Sequence, residues 1–252
     1  MSRARYRREL SQNFLVDHTV IDRMIRIARP SGLVLEPGGG SGALTRALTP
    51  HAEVWTWEID PHWAAVLESS TSARVIRGDF ARARVPDRAF SVVGNIPFSV
   101  TSRIVDWCLA ARNLTRATLL TQDQYARKRT GGYGRWSRLT ALTWHSHEWT
   151  YHGRVAPHAF RPRPRVDSGI IRLVRRPVPL LDPRDARLHS RVVHCAFLGL
   201  GGTVLASLSS EFGRAESARA LSDAGVPAGS VVATVHPESW IRVARRLARE
   251  FR

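Results

Sequence analysis

The segment Asn95-Ile96-Pro97-Phe98 combines groups that can hold and orient an aromatic amine. Pro97 fixes its own φ and biases Ile96 toward an extended backbone, which can aim main-chain carbonyls alongside the amide oxygen of Asn95. Such acceptors match the two N–H bonds of an exocyclic amine, whose lone pair is then less conjugated with its ring. Phe98 offers a face on which an extruded base can stack. The segment is therefore a candidate catalytic site for methylation of a base nitrogen.

A glycine cluster, Gly38-Gly39-Gly40-Ser41-Gly42, follows the apolar run Leu33–Leu35 and the carboxylate Glu36. Glycines let the main chain turn tightly and approach a ligand without interference from a Cβ atom. No Lys-Ser or Lys-Thr pair follows, so the cluster lacks the pattern of a phosphate-binding Walker loop. It is a candidate cofactor loop, although the cluster alone also fits an ordinary turn.

Two carboxylates stand at the ends of later predicted strands. Glu58 can accept two hydrogen bonds from a ribose diol, which would serve NAD or S-adenosylmethionine equally well. Asp79 can accept from an adenine amine while Phe80 packs on the ring. Each carboxylate alone also fits a surface or turn residue, and the order of all these segments along the chain is what favours a cofactor site.

The elements that would position these residues alternate along the chain. Strand, glycine turn and helix open the pattern, and the strands predicted after them are Glu53–Glu58, Arg74–Arg77, Phe90–Gly94, Ala117–Thr121, Glu148–His152 and Gly169–Val174. Helices are predicted at Ala43–Leu48, Pro61–Glu68 and Ser102–Ala111, after a first helix that Asp17 caps. This alternation predicts a doubly wound, Rossmann-like α/β sheet, with an Arg- and Pro-rich loop at Phe160–Val166.

The composition changes at Arg175–Pro179, where we predict a linker. Beyond it, apolar residues recur at helical spacing in Leu188–Phe197, Ala215–Leu221 and Trp240–Phe251. We therefore expect residues 1–176 to form a catalytic domain with a basic N-terminal arm. Residues 177–252 are expected to form a small helical RNA-binding domain.

The net charge of +17 indicates a polyanionic partner. No long basic amphipathic stretch suggests a membrane surface, and no apolar stretch approaches the roughly 20 residues that span a bilayer, so nucleic acid is the expected partner. The candidate phosphate contacts are Arg3, Arg5, Arg7, Arg8, Arg127, Lys128, Arg129, Arg135, Arg161, Arg163 and Arg165.

Other chemistries find little support. Cys108 and Cys195 belong to no CxxC pair, which argues against a disulfide framework or a cysteine zinc site. His145 and His147 share a face of a predicted strand while Glu148 points the other way, so no metal site is predicted. Ser41 lacks the G-x-S-x-G spacing of a serine hydrolase. The basic N-terminus has no apolar core of a secretory signal, and we expect a cytoplasmic monomer.

In their order, these motifs resemble the rRNA adenine N6-methyltransferases, a family that includes the Erm macrolide-resistance enzymes and the small-subunit rRNA dimethyltransferases. The resemblance runs from about Leu10 to Val174 and rests on the segments Ser11–Leu15, Glu36–Thr45, Trp57–Asp60, Gly78–Phe80 and Asn95–Phe98. It implies a class I methyltransferase fold with S-adenosylmethionine as cofactor. The residues that it places around the cofactor are Gln12, Asn13, Leu15, Gly38, Gly40, Glu58, Ile59, Asp79, Phe80 and Asn95.

Two stretches, Gln124–Trp136 and Phe160–Gly169, resemble the actinobacterial Erm branch, as does Phe98 in place of tyrosine. This branch implies methylation of an unpaired adenine in the peptidyl-transferase region of 23S rRNA, with macrolide resistance, and Phe160 flanking the base opposite Phe98. Two alternatives stay open. One is dimethylation of 16S rRNA, and the other is a non-enzymatic nucleic-acid-binding protein on the same fold.

Overall fold

The computed structural model describes residues 13–199 and 202–250. They form two compact units. The sheet unit contains the described residues up to Ala126 together with Thr150–Arg175, and the helical unit contains Arg127–Trp149 together with the described residues from Arg176 onward. The last change of unit lies one residue from the predicted division at 176/177. Residues 127–149, which we expected in the first domain, group with the helical unit because Ala141 is buried in its core.

Nine strands occur in the described residues: β1 (Phe14–Leu15), β2 (Leu33–Pro37), β3 (Glu53–Glu58), β4 (Arg74–Arg77), β5 (Phe90–Asn95), β6 (Leu114–Gln122), β7 (His147–Val155), β8 (Phe160–Arg161) and β9 (Ser168–Arg175). Seven of them form a sheet in the order β4-β3-β2-β5-β6-β9-β7. The first five are parallel and β9 is antiparallel to β6. The strand order reverses between β2 and β5, which is where doubly wound sheets bind ligands. The predicted Rossmann-like α/β class is confirmed.

The described helices are α1 (His18–Ala28), α2 (Ala43–Leu48), α3 (Pro61–Ser70), α4 (Thr101–Ala110), α5 (Asp123–Arg129), α6 (Arg138–Thr143), α7 (Pro183–Phe197), α8 (Val204–Phe212), α9 (Arg214–Asp223) and α10 (Pro237–Glu250). Within the described ranges, no helix has both the length and the apolar character needed to cross a bilayer.

The core of the sheet unit forms where α1 packs on the sheet. Asp17 begins this helix by accepting hydrogen bonds from the backbone N–H groups of Thr19 and Val20. The buried residues Met24 of α1, Val34 of β2 and Val93 of β5 belong to one apolar cluster. Both strands are buried throughout most of their length, as expected for parallel strands covered on two faces.

A two-stranded antiparallel ladder joins β1 to β8, pairing Phe14 with Arg161 and Leu15 with Phe160. The sequence analysis assigned residues 160–166 to a loop, because a two-residue strand carries no periodicity of its own. This pairing buries Leu15 and Phe160 in the core cluster beneath α1.

The helical unit has a separate apolar core built from α7, α8, α9 and α10, with the side chain of Trp240 fully buried. His189 is also fully buried, and its ring packs edge-on against His145 at 5.6 Å. The prediction that His145 lies on a strand is wrong, since it precedes β7, which begins at His147. Among the described residues, no group of three or more His, Cys, Asp or Glu side chains is arranged to hold a metal ion.

Candidate active site

A cavity of about 330 Å³ lies at the carboxyl ends of β2, β3, β4 and β5. It is formed entirely by the sheet unit. The predicted site residues that line it are Asn13, Leu15, Gly38, Gly40, Glu58, Ile59, Asp79, Phe80, Asn95, Ile96, Pro97, Phe98 and Phe160. Gln12, like Arg3, Arg5, Arg7 and Arg8, lies outside the described residues. The cavity therefore brings together every predicted catalytic and cofactor residue that the structure describes.

Asn95 ends β5 with its amide oriented by one hydrogen bond. Its Nδ2 atom donates to the backbone carbonyl of Asn13 at 2.8 Å. Because a carbonyl can only accept, this bond assigns the nitrogen to Asn13 and leaves Oδ1 available for a donor in the cavity. Within the described residues, no group donates to Oδ1.

The backbone after Asn95 bends as the sequence predicts. Pro97 has φ −57° and ψ 134°, and its carbonyl accepts from the N–H of Val100 in the turn that Phe98 begins. The N–H of Ile96 donates to Leu120 of β6, whereas its carbonyl receives no hydrogen bond from the described residues. The free acceptors at this corner are thus Oδ1 of Asn95 and the carbonyl of Ile96.

Glu58 ends β3 with a carboxylate that backbone donors hold in place. The N–H groups of Gly40 and Asp60 donate to Oε2 and Oε1 at 2.8 and 2.9 Å. The side chain is only 3% exposed, and burial raises its pKa. Each oxygen retains a second lone pair, so the carboxylate can still accept from a ribose diol.

Asp79 follows β4 and uses both carboxylate oxygens. Oδ1 accepts from the N–H of Ala81 at 3.0 Å, and Oδ2 pairs with the guanidinium of Arg103 at 2.9 Å. Arg103 comes from α4 and lines the cavity, but the sequence analysis did not single it out. Phe80 is buried edge-on against Trp57, a second lining residue, which the sequence analysis named within a motif without giving it a role.

The glycine loop fits a cofactor that approaches the backbone closely. Gly38 and Gly40 have φ values of +76° and +52°, which side chains rarely adopt. A Cβ atom on Gly39 would lie 2.4 Å from Oγ1 of Thr56, and one on Gly40 would lie 2.9 Å from the ring of Phe14. A Cβ atom on Gly38 would meet only Pro97, at 3.9 Å, and would occupy space in the cavity.

Glu36 is the second buried carboxylate of the cavity wall, at 1% exposure. Oγ1 of Thr45 donates to it at 2.6 Å. Burial raises its pKa from 4.5 to about 7, and the hydrogen bond only partly offsets that effect. The sequence analysis noted its position before the glycines without giving it a role.

The two aromatic residues expected on either side of a base differ in accessibility. Phe98 is half-buried and lines the cavity. Phe160 also lines the cavity, but it is only 1% exposed because its ladder with β1 places it in the core. Its role as a flank of the base stays a prediction.

The predicted phosphate contacts divide between the units. In the sheet unit, Arg161, Arg163 and Arg165 are exposed. In the helical unit, Lys128 and Arg135 are exposed, whereas Arg129 is half-buried and donates to Oγ of Ser137 at 2.8 Å. The contact with Ser137 gives Arg129 a structural role that the sequence did not indicate.

The sheet reverses its strand order beside a glycine loop, and acidic residues follow the next two strands. Together with the Asn95–Phe98 segment after β5, which a dinucleotide site does not need, this is the arrangement of a class I S-adenosylmethionine-dependent methyltransferase. The family model of ribosomal RNA adenine dimethylases matches residues 3–249, and the chain belongs to this family. It is therefore an enzyme that uses S-adenosylmethionine to methylate adenine in ribosomal RNA.

Individual relatives agree with this assignment. An rRNA adenine N-6-methyltransferase from Streptomyces fradiae is 47% identical over 252 residues, which cover 96% of this chain and 79% of the relative. A mycinamicin-resistance protein from Micromonospora griseorubida is 36% identical over 207 residues, covering 80% of this chain and 66% of the relative. The crystal structure of the 23S rRNA methyltransferase ErmE matches with a TM-score of 0.89 and 44% identity, covering 94% of this chain and 100% of that one.

Proposed function

We propose that this enzyme methylates N6 of a specific unpaired adenine in the peptidyl-transferase region of 23S rRNA and so confers resistance to macrolide-type antibiotics. The observation that supports the chemical part is the hydrogen bond from Nδ2 of Asn95 to the carbonyl of Asn13, which leaves Oδ1 of this cavity-lining residue available to accept a hydrogen bond. Similarity to ErmE and to the mycinamicin-resistance protein supports the choice of 23S rRNA and the resistance. Such a substrate places the enzyme in the cytoplasm.

The cavity wall suggests how each part of the cofactor is held. Glu58 would accept from the ribose hydroxyls, Asp79 from the adenine amine, and the backbone of Gly38–Gly40 would approach the remainder, with Asn13 and Leu15 alongside. The bound cofactor supplies an electrophilic methyl group on a sulfonium sulfur. All of these residues come from one chain, which supports a monomer as the active form.

Asn95 and Ile96 orient the substrate nitrogen. Oδ1 of Asn95 and the carbonyl of Ile96 accept the two N–H bonds of the target amine, while Phe98 stacks on the base. Because the nitrogen becomes cationic as the N–CH₃ bond forms, the two fixed oxygen dipoles stabilise the transition state. The cationic amine then releases a proton to water, so no strong base is required. Holding the amine in line with the methyl group increases the rate of transfer by a further large factor.

An unpaired adenine suits this site because a stacked base must first leave its helix, at a cost of a few kcal/mol. The main alternative, dimethylation of 16S rRNA, uses the same cavity chemistry. A non-enzymatic role is disfavoured because the glycine loop, both strand-end carboxylates and Asn95 are all present and line one cavity.

The N95A variant tests the catalytic role of the amide. We expect its methylation rate to fall by roughly 100-fold or more, as when a positioned dipole is removed from an active site. N113A is a matched control, since Asn113 is exposed and donates to Pro86 outside the cavity. Single-turnover transfer of labelled methyl groups to RNA measures both variants. Equal rates for N95A and N113A would exclude the proposed role.

The substrate is tested by incubating naked 23S and 16S rRNA separately with the enzyme and S-adenosylmethionine, and by locating the modified adenines with primer extension. We expect modification of a single region of 23S rRNA. A macrolide-sensitive host expressing wild-type enzyme should become resistant, and one expressing N95A should not. Modification confined to 16S rRNA would replace the proposal with the small-subunit activity.

A further inference from the structure

Tyr133 is the only aromatic residue among the exposed large hydrophobic side chains of the described residues, with 56% of its surface accessible. It belongs to the helical unit, outside the cavity that holds the reaction. An exposed ring at a loop tip loses hydrophobic stabilisation unless a ligand covers it.

The turn that carries Tyr133, residues 130–134, has a defined backbone. The N–H groups of Thr130 and Gly132 both donate to the carbonyl of Arg127, at 3.1 and 3.0 Å, and Gly134 donates to Gly131 at 2.9 Å. Gly131 and Gly134 have φ values of +72° and +65°, so glycine is needed for this conformation. The turn therefore fixes the backbone position from which the tyrosine side chain extends.

Trp136 ties this turn to the rest of the helical unit. A Cβ atom on Gly131 would lie 2.6 Å from the ring of Trp136, so the turn lies directly on the indole. The N–H of Trp136 donates to Ala233 at 2.7 Å, and its ring packs edge-on against Trp144 and His236. A ligand bound by Tyr133 would thus meet a preorganised site, which lowers the entropy cost of binding.

The surroundings of Tyr133 are strongly basic. The guanidinium carbon of Arg127 lies 5.9 Å from the centre of the tyrosine ring, and Lys128 and Arg135 are exposed nearby in the sequence. Residues 124–138 contain no acidic side chain. A planar aromatic face among cations matches single-stranded RNA, in which a base supplies the stacking partner and phosphates supply the charge.

We propose that Tyr133 stacks on a second unpaired base of the rRNA substrate, separate from the methylated adenine, while Lys128 and Arg135 contact the flanking phosphates. The inference rests on the proposed RNA methyltransferase function and adds a recognition subsite to it. Because stacking depends on the ring and not on the hydroxyl, phenylalanine or tryptophan should replace tyrosine, whereas leucine or alanine should not.

The test compares Y133A, Y133L, Y133F and Y133W in methylation of a transcribed hairpin from the peptidyl-transferase region of 23S rRNA. We expect Y133A and Y133L to raise the KM for RNA by roughly tenfold and to leave kcat unchanged. Y133F and Y133W should have the KM of wild type. V178A is a matched control, because Val178 is an apolar residue of the same unit with 78% exposure. The slope of log KM against log salt concentration should stay unchanged in Y133A and decrease by about 1 in K128A.

An unchanged KM in Y133A, or wild-type behaviour of Y133L, would overturn the stacking proposal. Binding of the fluorescein-labelled hairpin without cofactor distinguishes this failure from failure of the proposed function. If wild-type enzyme methylates no 23S rRNA but Y133A still binds the hairpin roughly tenfold more weakly than wild type and Y133F, the substrate assignment fails and the stacking stands.

Discussion

Glu36 and Glu58 are two buried carboxylates in the same cavity wall, but their charges are stabilised differently. Glu58 accepts from two backbone N–H groups, whereas the hydrogen bond to Glu36 comes from the hydroxyl of Thr45. Burial consequently raises the pKa of Glu36 to about 7, so this residue is partly protonated at neutral pH. Its ionisation affects the stability of the sheet unit.

We expect E36Q to change the pH dependence of unfolding. The pKa of Glu36 is raised to about 7 in the folded state from 4.5, so its contribution to stability is present below pH 4.5 and is lost as the pH rises through 7. From pH 5 to pH 8 this group should lower the free energy of unfolding of wild type by about 2–3 kcal/mol relative to E36Q. Urea titrations at both pH values measure the difference.

The control variant is E68Q. Arg77 lowers the pKa of the exposed Glu68 carboxylate, which is already ionised across this range in the folded state. The free energy of unfolding of E68Q should therefore change with pH in the same way as that of wild type between pH 5 and pH 8. If the free energy of unfolding of E36Q also changes with pH as that of wild type does, burial does not raise the pKa of Glu36.

At the residue scale, the sequence predicted the positions around the cavity because their roles depend on strand ends. Glu58 and Asn95 end largely buried strands, Asp79 follows β4, and parallel strands bring their carboxyl ends to one edge of the sheet. Arg103 could not be found in this way, since its approach to Asp79 depends on how α4 packs. The burial of Phe160 was equally hidden, because it results from pairing with β1.

The glycine loop between β2 and α2 leaves no room for a side chain at Gly39, and G39A should disrupt it. A Cβ atom there would lie 2.4 Å from Oγ1 of Thr56 and 2.8 Å from Cδ1 of Leu67, so either the loop or these buried side chains must shift. We expect a loss of about 1–3 kcal/mol in unfolding free energy and a weaker affinity for S-adenosylmethionine. Thermal unfolding and calorimetry measure the two effects.

G229A is the comparison for this substitution. A methyl group added at Gly229 would meet no heavy atom within 4 Å, and this glycine has no positive φ, so the extra carbon should be tolerated. Wild-type cofactor affinity in G39A would mean that the loop accommodates a methyl group without moving the site.

The elements that were predicted correctly are marked by a pattern in their own residues or in the residues just before them. β3, β4 and α2 have the predicted bounds: apolar residues mark both strands, Val75 and Ile76 in the case of β4, and the glycine turn precedes α2. The sequence analysis predicted no helix at α8, which Thr203 caps by accepting a hydrogen bond from the N–H of Ala206. α5 and α6 are too short to show a helical period, and tertiary contacts decide their conformation.

At the scale of the whole molecule, charge should dominate RNA binding. The net charge of +17 predicts that affinity falls steeply as salt displaces the phosphate contacts. A double variant, R163A with R165A, should reduce the slope of log Kd against log salt concentration by about 2, because both side chains are exposed on the sheet unit. Filter binding of 23S rRNA across a salt series gives the slope.

R88A provides the reference for that experiment. Arg88 is exposed but pairs with Glu53 at 2.5 Å, so its charge is already partly balanced. R88A should therefore change the slope of log Kd against log salt concentration less than R163A or R165A does. Identical slopes for wild type and the double variant would show that Arg163 and Arg165 make no phosphate contact.

The alternation of the two units along the chain constrains how the protein is made. The chain leaves the sheet unit after Ala126, returns at Thr150 and leaves it again after Arg175. During translation, β6 therefore lacks its antiparallel partner until β9 has been synthesised. Helix α6 lacks the core that buries Ala141 until α7–α10 have also been synthesised. A chain truncated after residue 176 would contain all strands of the sheet, but residues 127–149 would lack the α7–α10 core, and Trp136 and Trp144 would lack the His236 ring. Residues 177–252 expressed alone would lack residues 127–149, and with them Ala141 of the helical core. Producing the helical unit separately therefore requires a gene in which its two segments are joined.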